Sequence, residues 1–257
     1  MILCGHSSYP RDLDYAAFKA IADEVGALAM ADISHIGGLV AAGVLQNPFD
    51  SGFDVVTTTT HKTLRGPRGG MILCKSAYAK TIDASVFPGL QGGPHMNNVA
   101  AKAYALKKAG TESFRRYAQS VRTNARILAQ GLVENGAKLV TGGTENHLIV
   151  LETKTTFGVD GHDAQRAFDQ VGLVVNKQII PDDPLPPARP SGIRVGTPAV
   201  TTRGMTADMM KTFANWIVST LRSAARSDTQ ALDTLASEVR RLAIAYPIPG
   251  LGHRAIS

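Results

Sequence analysis

Cysteine is scarce in this chain, with only Cys4 and Cys74 among 257 residues. Two thiols so far apart form neither a metal-ligand set nor a redox pair. That excludes a disulfide-framed secreted module and a zinc ribbon, and it points to reduced thiols in the cytoplasm. Long apolar runs are lacking too. None approaches the roughly 20 residues a membrane span needs. Met1-Ile2-Leu3-Cys4 has no basic lead before its apolar residues, so no signal peptide is expected. An excess of one charge is nearly absent: 27 Lys and Arg against 21 Asp and Glu leave +6, spread without a dense basic run. Such a balance favours anionic ligands such as phosphates and carboxylates, and does not indicate nucleic acid. The chain also lacks H-E-x-x-H, G-x-x-x-x-G-K-[ST] and G-x-G-x-x-G followed by an acid. Its seven histidines fall at no metal-ligand spacing, so no metal is expected.

What is present reads as an α/β layered fold. Ile2-Leu3-Cys4 has the look of an interior strand with nothing before it, which predicts that a front half is missing. Apolar residues at 15, 18, 21, 22 and 25 predict a helix capped by Asp14 and ended by Gly26. Strands are predicted at 27–31, 53–58 and 70–74, in a largely parallel sheet. Two long helices follow, at 96–108 and 112–135. Beyond residue 110 the spacing predicts a smaller α+β region. It has strands at 138–140, 147–152, 173–175 and 193–195, a helix opened by Asp163, a proline-rich loop from Pro181 to Pro190, and helices at 207–226 and 229–245.

Chemistry concentrates in two blocks. Thr57-Thr58-Thr59-Thr60-His61-Lys62-Thr63, followed by Gly66-Pro67-Arg68-Gly69-Gly70, puts His61 and Lys62 just past the carboxyl end of a strand. In open α/β sheets, ligands bind there. A loop lysine is ordinarily a solvated one; here hydroxyls and glycines flank it. Asp32-Ile33-Ser34-His35 ends another apolar strand, so neighbouring parallel strands would bring Asp32 and Lys62 into one crevice. The plainer reading of Asp32 is a cap for the following helix, and of His35 a structural histidine. A carboxylate and a lysine in this order fit a pyridoxal-phosphate site.

Four blocks carry a resemblance to a known family: Asp32 to Gly43, Thr57 to Gly70, Phe87-Pro-Gly-Leu-Gln-Gly-Gly-Pro94 and Ser191-Gly-Ile-Arg-Val-Gly-Thr-Pro198. In this order they closely resemble serine hydroxymethyltransferase, over essentially the whole chain. The resemblance implies a fold-type I pyridoxal 5'-phosphate transferase. Residues 1–110 would be the C-terminal part of its large domain and residues 111–257 its small α+β domain. The implied reaction moves a one-carbon unit between serine and tetrahydrofolate, giving glycine and 5,10-methylenetetrahydrofolate.

By resemblance, Lys62 is the lysine that carries the cofactor and Asp32 the acid that pairs with its pyridine nitrogen. His35 and Ser7 match residues near the ring's phenolic oxygen, while Thr59 and His61 line the pocket. Gly92 and Gly93 match a loop reaching the cofactor phosphate of the neighbouring subunit, which implies a homodimer or tetramer with shared sites. Arg194 matches the arginine that grips the substrate carboxylate; its plain alternative is a surface salt bridge. Leu185, Pro186 and Pro187 border the folate site. Gln178 stands where the family commonly has a folate-contacting asparagine, a departure that keeps the amide and lengthens its reach. The family's N-terminal portion has no counterpart here, so a complementary N-terminal half is an expected partner. The competing expectations are a folate-independent aldolase acting on threonine and a chain that is catalytically silent alone.

Overall fold

The computed structural model describes residues 1–251. They fall into two compact units. The first comprises Met1–Ser7 and Asp12–Gln119; the second comprises Ser8–Arg11 and the chain from Ser120 onward.

In the first unit the elements run β1 (Ile2–Gly5), α1 (Tyr15–Glu24), β2 (Ala29–Asp32), α2 (Gly37–Ala41), β3 (Val55–Thr59), β4 (Gly70–Cys74), α3 (Ser76–Ala84), α4 (Met96–Ala109) and the start of α5 (Glu112–Glu134). Asp14 caps α1, its carboxylate accepting the Ala17 N–H at 3.0 Å. The chain leaves that helix through Gly26, whose φ of +61° suits a residue without Cβ. The buried face of α1 carries Tyr15, packed edge-on against Phe53 with ring centroids 5.4 Å apart.

The sheet order is β1-β2-β3-β4, with β1, β2 and β3 parallel. The register sets Asp32 opposite Thr57. β4 runs antiparallel to β3, so the sheet is largely but not wholly parallel. The reason is length: residues 60–69 are too few for the crossover of a dozen or more that a parallel pair requires. At the entrance to β3 the buried Asp54 ties the sheet together. It accepts the Ala29 N–H at 2.9 Å and the Lys75 ammonium at 2.8 Å. Burial opposes its charge, but Lys75 and the Ala29 N–H outweigh that and hold the carboxyl below its ordinary value.

The second unit holds the rest of α5, then β5 (Lys138–Leu139), β6 (Leu148–Glu152), α6 (Lys154–Phe157), α7 (Gly161–Val171), β7 (Asn176–Gln178), β8 (Gly192–Gly196), α8 (Pro198–Thr202), α9 (Ala207–Ala225) and α10 (Thr229–Ala245). Its antiparallel sheet has the order β5-β6-β8-β7. Ile149, Leu151 and Ile193 from the central strands meet Phe168, Met210 and Leu221 from α7 and α9 in one core. Each such side chain contributes about 1.5–3 kcal/mol on full burial.

Two expectations shift here. Helix α7 opens at Gly161, not at Asp163, because the Asp160 carboxylate accepts the N–H groups of His162 and Asp163, both at 3.0 Å. The strand expected at 173–175 forms at Asn176–Gln178 instead. Among the described residues no helix is long and apolar enough to cross a membrane.

Candidate active site

β2 and β3 end side by side, and both candidate blocks lie at their carboxyl ends. Asp32 closes β2. One of its oxygens accepts the Ser34 N–H at 3.0 Å, the other the Thr57 hydroxyl at 2.8 Å. The plainer use of this aspartate is therefore realised in part: it caps a local turn, whereas α2 itself begins after Ile36 without a side-chain cap. Burial pushes the Asp32 carboxyl up, but the Ser34 N–H, the Thr57 and Ser34 hydroxyls and the Lys62 charge together bring it below the ordinary value. At neutral pH it is a carboxylate that senses the ammonium of Lys62.

Lys62 sits half-buried three residues past β3. Its turn is closed by the Arg65 N–H donating to the Lys62 carbonyl at 2.9 Å and the Gly66 N–H donating to the Thr60 carbonyl at 2.7 Å. The Thr60 hydroxyl donates to the Pro67 carbonyl at 2.7 Å, and the Gly69 N–H donates to His61 Nδ1 at 3.2 Å. The threonines do more than line the strand end. Thr59 donates its hydroxyl to the Ser34 carbonyl at 3.1 Å. Thr63 donates to the His35 carbonyl at 2.9 Å and accepts the Gly38 N–H at 2.9 Å. The acid-bearing and lysine-bearing segments are thus laced to each other. Gly37 and Gly38 permit it. A methyl group at Gly37 would lie 2.5 Å from the Thr58 hydroxyl, and one at Gly38 would collide with the Thr63 carbonyl. Sequence reasoning missed this lacing, whose one signal is the paired glycines.

A crevice of about 960 Å³ opens beside Asp32, lined also by Ser34, Thr57, Thr59, Gly69 and Gln91. Gly92 and Gly93 follow Gln91 in an exposed loop, with open space where a Cβ would stand. Ser7 is exposed just beyond β1. Its neighbour His6 is held below the usual histidine value by burial, against the pull of Asp12 and Asp32. Gly5 meets Asp32 across the β1–β2 pairing, where a Cβ would lie 2.6 Å from the Asp32 carbonyl oxygen.

In the second unit Arg194 is half-buried on β8, its guanidinium lowered by burial. One terminal nitrogen donates to the Ser8 hydroxyl at 3.1 Å and the other to the Asn176 side-chain oxygen at 3.2 Å. Ser8 in turn donates to the Gln178 side-chain oxygen at 2.6 Å. Ser8 and Asn176 went unnoticed in the sequence. The proline-rich loop carrying Leu185, Pro186 and Pro187 is organised by Asp183, which accepts from Ile180, Leu185 and twice from Ser191. Asp160, His162 and Asp163 place ligand atoms within 4.8 Å of one another, but Arg189 pairs with both carboxylates, an ion-paired helix start.

Fold and site together define an α/β chain with a crevice at the carboxyl ends of parallel strands, lined by the ionised Asp32, with Lys62 on the turn that follows β3. The sequence model of the serine hydroxymethyltransferase family matches residues 1–217. A protein named serine hydroxymethyltransferase from Sorangium cellulosum is 50% identical over 251 residues, covering 98% of this chain and 58% of that protein. Proteins of the same name from Desulfotalea psychrophila and Methanospirillum hungatei are 49% and 48% identical, each matched over 59% of its length. The chain belongs to the serine hydroxymethyltransferase family, and it spans somewhat under two thirds of the length of these relatives.

Proposed function

We propose that this chain supplies the lysine-bearing share of a pyridoxal 5'-phosphate site that moves a one-carbon unit between serine and tetrahydrofolate, giving glycine and 5,10-methylenetetrahydrofolate. The observation that best supports the reading is the ionised Asp32 at the end of β2 under the charge of Lys62. The residues suit the cofactor. Asp32 accepts from the Ser34 N–H and from the Thr57 and Ser34 hydroxyls, and a carboxylate offers about four acceptor sites, so capacity remains for a pyridine N–H.

Bound pyridoxal phosphate supplies an electron sink for negative charge at the α-carbon of an amino acid. Lys62 would hold the cofactor through its side-chain amine. Asp32, as a carboxylate, holds the proton on the ring nitrogen. His35 and Ser7 would lie near the ring's phenolic oxygen, Thr59 and His61 would wall the pocket, and Gly92 and Gly93 would offer backbone N–H groups to the phosphate held by a neighbouring subunit. Arg194 grips the substrate carboxylate with its planar fork, which lysine could not reproduce. Gln178, Leu185, Pro186 and Pro187 border the folate. The reading places a homodimer or tetramer in the cytoplasm.

The share of the relatives that lies outside the match favours one refinement: turnover requires the complementary N-terminal portion. The aldolase alternative has no observation in its favour, since the three relatives all carry the hydroxymethyltransferase name. The test is Lys62→Ala, in the chain alone and joined by an N-terminal half. Loss of the cofactor's protein-bound visible absorbance and of folate-dependent serine cleavage is expected. Unchanged absorbance and turnover would refute the assignment.

A further inference from the structure

The first unit contains a second cavity, of about 420 Å³, that shares no lining residue with the Asp32 crevice. Leu64 to Pro67 form one wall, and α4 with the start of α5 forms the other. Two cations stand at it. The Arg65 guanidinium lies 4.2 Å from the centroid of the Tyr117 ring, and the Lys108 ammonium lies 5.6 Å from that of Tyr104. A ring takes the flat face of a guanidinium and leaves the N–H edge available. Among the described residues neither cation forms an ion pair. The acid nearest Lys108 in sequence, Glu112, is drawn instead to Arg115 at 3.6 Å and Arg116 at 3.8 Å.

Two hydroxyls line the rim, and of these the Ser113 one is, among the described residues, not committed to a carbonyl. The Thr111 hydroxyl donates to the Lys108 carbonyl at 2.7 Å, and the Ser113 hydroxyl lies 3.5 Å from it. Buried Leu64 and Phe114 make an apolar floor. Arg65 is held where it is at a conformational cost: its φ of +60° is uncommon for a residue with a Cβ, and its own N–H is fixed on the Lys62 carbonyl.

We propose that this cavity binds a phosphate group, as inorganic phosphate or as a small phosphate monoester. Two cations without acid partners call for a multiply charged anion, and the Ser113 hydroxyl beside them suits an ion with several acceptor oxygens. The volume lies within the ordinary range of about 300–1,000 Å³ for small-molecule pockets, leaving room for an organic substituent over the apolar floor. Because Arg65 is hydrogen-bonded to the Lys62 carbonyl, an anion held there also braces the turn that carries Lys62. The site stands whether or not Lys62 carries a cofactor.

The experiment titrates the isotopically labelled 257-residue chain with inorganic phosphate, and separately with glycerol 3-phosphate, at constant ionic strength. Saturable shifts are expected at the amides of Arg65, Gly66, Lys108 and Ser113, with those of Asp32 and Thr57 unmoved. A tighter midpoint for glycerol phosphate identifies a monoester as the ligand, and equal midpoints identify the free ion. The double variant R65Q/K108Q changes two exposed side chains, and its amide spectrum reports that the fold is kept. It should weaken binding about tenfold or more, as loss of two charge contacts demands. Non-saturating shifts, an unchanged midpoint in the double variant, or shifts centred on Asp32 overturn the proposal.

Discussion

Replacing Asp183 by asparagine should loosen the proline-rich loop while leaving the core of the second unit intact. The carboxylate accepts the N–H groups of Ile180 at 3.2 Å and Ser191 at 2.9 Å on one oxygen. On the other it accepts the Leu185 N–H at 3.0 Å and the Ser191 hydroxyl at 2.6 Å. An amide oxygen can replace only one of those acceptors. Placed toward Ile180 and the Ser191 N–H, it leaves the NH2 facing the Leu185 N–H, donor against donor. The Ser191 hydroxyl can turn round and accept; the Leu185 amide cannot.

One orphaned donor costs about 1–3 kcal/mol, and a half-buried site falls in the lower part of that range. A loss of about 1–2 kcal/mol corresponds to amide exchange about 5–30 times faster at Leu185 and Ser191, with β6 and β8 unaffected. Proton dependence gives a second arm. Burial opposes the charge on Asp183, but the Ser191 hydroxyl and N–H and the Leu185 and Ile180 N–H groups lower its carboxyl to about 2. A depressed value means the stabilisation is complete above the ordinary carboxylate value of about 3.9 and is lost as pH falls through about 2. Loop protection in the parent chain should therefore decline across that interval, and D183N should show no such decline. Equal exchange rates at Leu185 and Ser191 in the two proteins would refute the reasoning.

Gly38→Ala should destabilise the first unit by about 1–3 kcal/mol, since the methyl can be admitted only by moving the Thr63 backbone, and should reduce cofactor uptake at Lys62. Thermal denaturation and cofactor titration measure both, and a neutral result would show that the contact yields easily. Lys75→Met leaves the buried Asp54 carboxylate with the Ala29 N–H as its remaining hydrogen bond. Melting at neutral pH should fall, and the advantage of neutral over acid pH should shrink, because an acid no longer held low gains less from ionising. The Cys4 thiol is pushed up by burial to about 11, so alkylation of the native chain at pH 8 should mark Cys74 and spare Cys4 until denaturant is added. Equal labelling rates would contradict its burial.

The parts legible in the sequence were those set by local pattern. A β-branched strand running into His61 and Lys62, and an apolar strand closing on Asp32, place both groups at strand ends. Failures came where local pattern and tertiary role part company. Leu173 and Val175 look like strand residues, yet Val174 between them is 92% exposed as the chain leaves α7 through Gly172. The true strand is Asn-Lys-Gln, polar because β7, among the described residues, is an edge pairing only with β8. Two aspartates three residues apart compete to start α7; Asp160 caps it while Asp163 faces Arg189. Helix α3 buries none of its side chains, so no apolar stripe announces it. Asp183, among five prolines, resembles an ordinary turn residue, and its four donors come from both ends of a loop whose closure is not a local property.

The Thr63 hydroxyl, shared between the His35 carbonyl and the Gly38 N–H, has a consequence for inheritance. Residues 34–38 and 57–63 cannot drift independently, because a bulkier residue in one stretch is tolerated only if the backbone of the other retreats. A designer grafting the lysine turn onto a foreign scaffold would have to transplant the glycine pair with it, and would otherwise obtain the right amino group in the wrong place.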